Sequence, residues 1–304
     1  SLCMEKRVHT IETVSDYCRF FGVQVQHPSV TIADFQDYGA YPAGLMQANL
    51  YCIMYKELDC GEMKYGHSRY DYQAGTLLFI SPGQVIGLNG RTPGSPKSRG
   101  KVLLIHPDLM YGTPLARLIG GYSFFSYDSN EALHMSDREK EIVLGCLAEI
   151  KAELELCIDR HTRKIVCSRI ETLLDHCERF YERQFVTREV ANHSVISKLD
   201  TYLRDYFDSD RPADSGIPTV QSCASEMCLS ANYFSDLVKR ETGKTAQEYI
   251  QGHVIGLAKI LLSEKDKNIT AIAYELGFRY PHHLTRVFKK QTGLTPQEYR
   301  TIAN

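Results

Sequence analysis

Two pairs of adjacent cations, Lys239-Arg240 and Lys289-Lys290, stand 50 residues apart in closely matching surroundings. Such pairs meet phosphate oxygens, or they sit as plain surface charge at the end of a helix, whose dipole favours them there. Other arrangements that could carry chemistry are poorer. Ser81, His106 and Asp108 form no recognisable nucleophile set. Glu62 and His67 lie near one another, but the chain has no His-x-His, and His67 reads as a surface or barrel-edge side chain. Glycine-rich loops of the phosphate-cradling kind are absent. No catalytic residue, metal or cofactor is expected, and the chemistry left is that of binding.

The cation pairs belong to a repeat. Aligning Tyr233–Ile250 with His283–Arg300 makes seven of 18 positions identical: Lys239, Thr242, Gly243, Thr245, Gln247, Glu248 and Tyr249 against their partners 50 residues on. Each copy follows one physical grammar. A helix with Leu237 and Val238, or Val287 and Phe288, ends in its cations and stops at Gly243 or Gly293. Thr245 with Glu248, and Thr295 with Glu298, then form capping boxes for the next helix, the second with Pro296 in its first turn. Upstream lie two short helices, Thr219 to Met227 and Ile269 to Leu276, each followed by a turn. A short helix, a tight turn and a second helix with a basic end make a helix-turn-helix, and it occurs twice.

These residues resemble the AraC family of bacterial transcription regulators. Ile269 to Phe278, Leu284 to Gly293 and Thr295 to Arg300 fit that family's signature almost throughout. The resemblance implies two helix-turn-helix subdomains joined by a helix at about 246–262, a double-stranded DNA operator as partner, and RNA polymerase as a further possible partner. It also implies that Ala231–Arg240 and Pro281–Lys290 enter successive major grooves. Asn232, Ser235 and Asp236, with His282, His283 and Arg286, would then face bases. Lys239, Arg240, Lys289 and Lys290 would meet phosphates. Arg286 suits guanine best. Asp236 can accept from cytosine, sit solvated, or pair with Arg240 one turn on. Val254 stands where the family usually has arginine, and His283-Leu284 replaces a commoner aromatic pair.

The rest of the chain must position this module. From Val30 to Ile105, short apolar runs broken by glycine and proline read as strands: Val30–Phe35, Leu50–Tyr55, Gly75–Ile80 and Lys101–Ile105. Tyr70 to Gln84 is similar to the cupin-like sensor domains found N-terminal in the same family, although Ile86 lies where a metal-binding cupin has a histidine. The fold class expected is α+β, a cupin-like β-barrel followed by an all-α domain. A barrel can enclose a small-molecule effector, with Tyr51, Tyr55, Tyr70 and Tyr72 as stacking candidates, or it can be filled by its own side chains. Ser136 and Glu139 cap a helix to about Cys157, and a second helix runs over about 162–184. Their apolar stripes, with Ile142, Leu147, Ile165 and Leu173, either cover the barrel or form a homodimer interface. An amphipathic helix then precedes a turn-rich linker, Asp208–Pro218. The expected domains are 1–190 and 191–304.

Composition bounds the function classes. The chain of 304 residues has 43% hydrophobic and 24% charged residues, close to globular averages. Its net charge of -2 conceals an asymmetry: residues 217–304 hold 11 Lys and Arg against 8 Asp and Glu, the remainder 24 against 29. The ten cysteines are scattered without a C-x-x-C, which fits reduced thiols in a cytoplasmic protein. No run approaches a membrane span, and Ser1–Arg7 lack an apolar signal core. The rival to a DNA-binding regulator is a cupin-like barrel enzyme or binding module that carries a helical partner-recognition domain.

Overall fold

The apolar runs become strands in a computed structural model that describes residues 8–57, 75–96, 98–264 and 267–303. The chain divides into two units, Ser1–Thr187 and Arg188–Asn304. In the first unit β1 (Val8–Ile11), α1 (Val14–Phe21), β2 (Val30–Asp34), β3 (Tyr41–Ala48), β4 (Tyr51–Lys56), β5 (Gly75–Ile80), β6 (Val85–Arg91) and β7 (Gly100–Ile105) come first. Then follow α2 (Leu115–Leu118), β8 (Leu133–Met135), α3 (Asp137–Glu155) and α4 (Thr162–Thr187). One sheet has the order β1-β3-β6, and the other runs β2-β7-β4-β5-β8 with every pairing antiparallel. The class is α+β.

Successive side chains of a strand point to opposite faces. Cys52 and Met54 of β4, Val102 and Leu104 of β7, and Met46 and Ala48 of β3 share one buried cluster with Tyr17, Cys18 and Phe21 of α1. The two sheets therefore face one another, and α1 packs into the space between them. Tyr17 and Tyr38 share a hydrogen bond of 2.8 Å there, and Phe21 stacks on Tyr38 at 4.6 Å. The alternate residues, Ile53, Leu103 and Ile105 among them, are buried as well. They lie on the opposite face of the five-stranded sheet, where Phe79 meets Phe124 at 4.4 Å and Tyr181 of α4 at 6.1 Å. Burial on both faces explains why these strands read as unbroken apolar runs.

This alternation corrects the expected placing of the tyrosines. Tyr51 and Tyr55 fall on the outer face of the sheet with Ile53, and Tyr51 meets Phe125 edge-on at 5.1 Å. The buried aromatic side chains of the cluster between the sheets include Tyr17, Phe21, Phe35 and Tyr38. Tyr70 and Tyr72, like Glu62 and His67, lie outside the described residues.

Ser136 and Glu139 form the expected reciprocal cap of α3. The stripes of α3 and α4 are largely consumed within the unit. Val143, Leu147, Ile150 and Leu154, with Val166, Ile170, Leu173, Leu174 and Cys177, are buried, whereas Ile142 is half-buried and Ile165 exposed.

The second unit is helical: α5 (Glu189–Phe207), α6 (Arg211–Ser215), α7 (Val220–Glu226), α8 (Ala231–Thr242), α9 (Ala246–Ser263), α10 (Ile269–Glu275), α11 (Pro281–Thr292) and α12 (Pro296–Ala303). One apolar cluster gathers Leu199, Leu203, Phe234, Val238 and Ile250. A second gathers Val254, Ala258, Ile272, Leu284 and Phe288. Helix α9 contributes to both, and Phe207 and Ile217 pack against both. The segment 208–218, read above as a linker, is folded into this unit. Pro212 is buried, and Tyr206 donates from its hydroxyl to the Gly216 carbonyl at 2.7 Å. Proline and glycine here make a packed turn rather than a tether.

Candidate nucleic-acid interface

Each module begins with a capped short helix. Thr219 caps α7 through the Ser222 amide, and Asn268 caps α10 through the Ala271 amide. The turns that follow are built alike. The Leu229 amide donates to Ala224 and the Phe278 amide to Ala273, both at 2.9 Å. Cys228 and Gly277 take the left-handed conformation at equivalent places, with φ of 57° and 85°. The offset between modules is 49 residues up to this point and 50 afterwards, because the second turn carries one extra residue. The next helix starts differently in each copy. Ser230 caps α8 with its hydroxyl, whereas Tyr280 offers no side-chain bond and Pro281 at the first position fixes the entry to α11.

Both second helices bury one face. Tyr233, Phe234, Leu237 and Val238 are buried in α8, and Leu284 and Phe288 in α11. The sites read from sequence lie on the other face or beside it. Asn232, Lys239 and Arg240 are exposed, and Ser235 and Asp236 half-buried. His282, Arg286, Lys289 and Lys290 are exposed. Helical spacing sets Asn232, Asp236 and Lys239 in one row and His282, Arg286 and Lys289 in the matching row. Ser235 commits its hydroxyl proton to the Ala231 carbonyl at 2.7 Å. His283 occupies the register position of the buried Tyr233 and is itself half-buried.

The second module carries a ring cluster that the sequence reading did not single out. Tyr280 stacks on His282 at 5.6 Å, His282 meets His283 at 4.4 Å, and the Arg279 guanidinium lies 5.9 Å from the Tyr280 ring centre. Partial desolvation, with the His282 and Arg286 charges beside it, holds the His283 imidazole below the usual histidine range. Glu248 and Glu298 are held below the usual carboxylate range, chiefly by backbone and hydroxyl bonds from Thr245 and Thr295. Lys290 adds to the effect at Glu248, and Lys289 at Glu298. Two of the expected phosphate cations thus have capping carboxylates for neighbours.

Both helices end at glycines in the left-handed region, Gly243 and Gly293, with φ of 73° and 79°. The capping boxes that start α9 and α12 have both their bonds. Val254 is buried in the second cluster, so an apolar contact replaces the polar one expected of arginine. Its neighbour His253 lies 5.8 Å from the Phe207 ring, and burial pushes its imidazole below the usual range. Among the described residues, no three His, Cys, Asp or Glu side chains are grouped to hold a metal ion.

A family model described as a helix-turn-helix domain matches residues 223–302. The arabinose operon regulatory protein of Salmonella typhimurium is 34% identical over 113 residues, 36% of this chain and 40% of that protein. The Escherichia coli protein of the same name is 25% identical over 244 residues, 79% of this chain and 76% of that protein. A Bacillus subtilis relative, named as an uncharacterised helix-turn-helix transcriptional regulator, is 38% identical over 119 residues, 38% of this chain and 45% of that protein. The matched segment thus spans less than half the length of the Salmonella and Bacillus relatives and about three quarters of the Escherichia one. The C-terminal unit is a double helix-turn-helix domain. The chain is similar to these regulators over that unit, and to the Escherichia coli one over most of its length.

Proposed function

We propose that this protein is a sequence-specific regulator that sets α8 and α11 into successive major grooves of one duplex, under the control of a small molecule bound to its N-terminal unit. One observation carries the reading. Two helices with matched turns and glycine stops bury equivalent faces and turn equivalent polar rows outward, each ending in a pair of cations. Phosphate contacts from Lys239, Arg240, Lys289 and Lys290 supply affinity, while Asn232, Ser235, Asp236, His282, His283 and Arg286 supply choice. Operator DNA and, on promoters, RNA polymerase are the macromolecular partners, in the cytoplasm. The reading is of a binding protein rather than an enzyme, in keeping with the regulator names of its relatives.

Selection of the full chain on random duplexes, followed by anisotropy titration, tests this. A preferred sequence should emerge, and its affinity should fall about 100-fold between 50 and 200 mM salt if about four phosphates are neutralised. Binding without sequence preference, or affinity flat in salt, overturns it. Homodimerisation through the first unit completes the proposal, since two copies on one operator gain affinity by effective concentration. Light scattering at tens of micromolar decides that clause, and a monomer removes it.

A further inference from the structure

The outer face of the five-stranded sheet ends in a cleft of about 270 Å³ beneath α3, bordered by Asp34, Tyr55, Glu57, Arg99, Lys101 and Lys140. Strand register assembles it. Asp34 on β2 pairs with Lys101 on β7, and Lys101 pairs with Tyr55 on β4, so the three side chains stand in a row on one face. The charges within the cleft are mostly matched: Lys101 meets Asp34 at 2.9 Å and Lys140 meets Glu57 at 3.1 Å. Two donors remain. Arg99 is exposed and forms no ion pair among the described residues. Tyr55 is only 4% exposed, yet its hydroxyl proton finds no acceptor among the described residues. The Lys140 ammonium, which donates to Glu57, also lies within reach of the Tyr55 oxygen, but as a donor it leaves the Tyr55 O–H proton without an acceptor. The ring is held in place by Gly75, where a Cβ would lie 2.5 Å from the Tyr55 ring.

A buried O–H proton left without an acceptor costs free energy, and native chains rarely keep one. We propose that this cleft binds a small organic or inorganic oxyanion, a carboxylate or a phosphate, which accepts from the Tyr55 hydroxyl and from the Arg99 guanidinium. Guanidinium presents two parallel N–H groups that match either anion. The volume lies just below the usual range for ligand sites, which suits a metabolite of few heavy atoms. Effector control in the function proposed above would then act from the outside of the sheet, through Lys140 and Leu144 of α3, rather than from between the sheets. That regulatory consequence rests on the reading as a DNA-binding regulator; the site itself does not.

Calorimetric titration of the full chain with succinate and with inorganic phosphate, each against sodium chloride at equal ionic strength, tests the site. Saturable binding of one probe is expected, and which one binds tells a carboxylate site from a phosphate site. Arg99→Ala and Tyr55→Phe should each weaken it about tenfold or more. Lys164→Ala, an exposed cation of α4 that does not line the cleft, should leave it unchanged. Tyr55→Phe should also change the melting temperature of the free chain little, because it removes a buried O–H proton that lacks an acceptor. No saturable binding of either probe at millimolar concentration, or equal binding by wild type and both cleft variants, overturns the site. Because the titration contains no DNA, either result leaves the sequence-selection experiment to judge DNA binding on its own.

Discussion

Asp236 and Arg286 occupy the same position of the two second helices and carry opposite charge. The modules are copies in backbone and differ in what they present to a duplex. A guanidinium can grip the two acceptors of guanine, whereas a carboxylate accepts at most from cytosine and repels phosphate. Arg286→Ala should therefore cost roughly 1–3 kcal/mol and relax choice at one base pair. Lys289→Ala should weaken all sequences alike and lower the salt slope by about one. Affinities of both variants for a set of single-base operator mutants check this, and equal losses on every sequence from Arg286→Ala would take it out of base reading. The His283 imidazole adds a dependence on pH. Partial desolvation, with the His282 and Arg286 charges beside it, favours the neutral form of His283 in the free protein. Phosphate beside it favours the protonated ring, so binding takes up protons and affinity should rise as pH falls from about 8 to about 5.5. His283→Gln should flatten that profile in the same anisotropy assay.

At the scale of the element, the two turns offer a controlled comparison. Cys228 holds a left-handed conformation with a side chain attached, at the place where the second module has Gly277. Left-handed backbone costs a non-glycine residue about 1–2 kcal/mol, part of which glycine returns as chain entropy. Cys228→Gly should thus stabilise the second unit by about 0.5–1 kcal/mol. Gly277→Ala should destabilise it by more, about 1–3 kcal/mol, since its Cβ would lie 2.8 Å from the Gly216 carbonyl carbon and 2.9 Å from the Pro212 oxygen. Urea midpoints of the two variants give the signs. The repeat made most of this unit legible: caps at Thr245 and Thr295 and stops at Gly243 and Gly293 are local chemistry, written in neighbouring residues. β1, β3, β6 and α1 were not legible. In β3, Pro42 and Gly44 interrupt the pattern and only Met46 and Ala48 are buried, so nothing local marks it as a strand until β6 pairs with it. Tyr51 and Tyr55 were misplaced for a related reason. In a sheet buried on both faces, apolar pattern no longer tells inside from outside, and their side is set by distant neighbours.

At the scale of the whole molecule, the clusters of the second unit draw only on residues after Thr187. A fragment of residues 188–304 should fold and bind DNA with the salt slope of a single copy, which circular dichroism and anisotropy can verify. Within that unit, the turn of the second module is fastened to the segment that leads into the first. Gly277 sits against Gly216 and Pro212 too closely for any side chain between them, while α9 enters both cores. The pair of readers is thereby a caliper of fixed opening rather than two hands on a cord. One inserted base pair between the subsites turns the far one by about 35° and moves it about 3.4 Å, beyond what such a caliper can follow. A full extra helical turn restores the face but not the reach, so it should rescue nothing. Natural targets of this protein should consequently vary in letters and in the distance between copies of the chain, but not in the number of letters beneath a single copy.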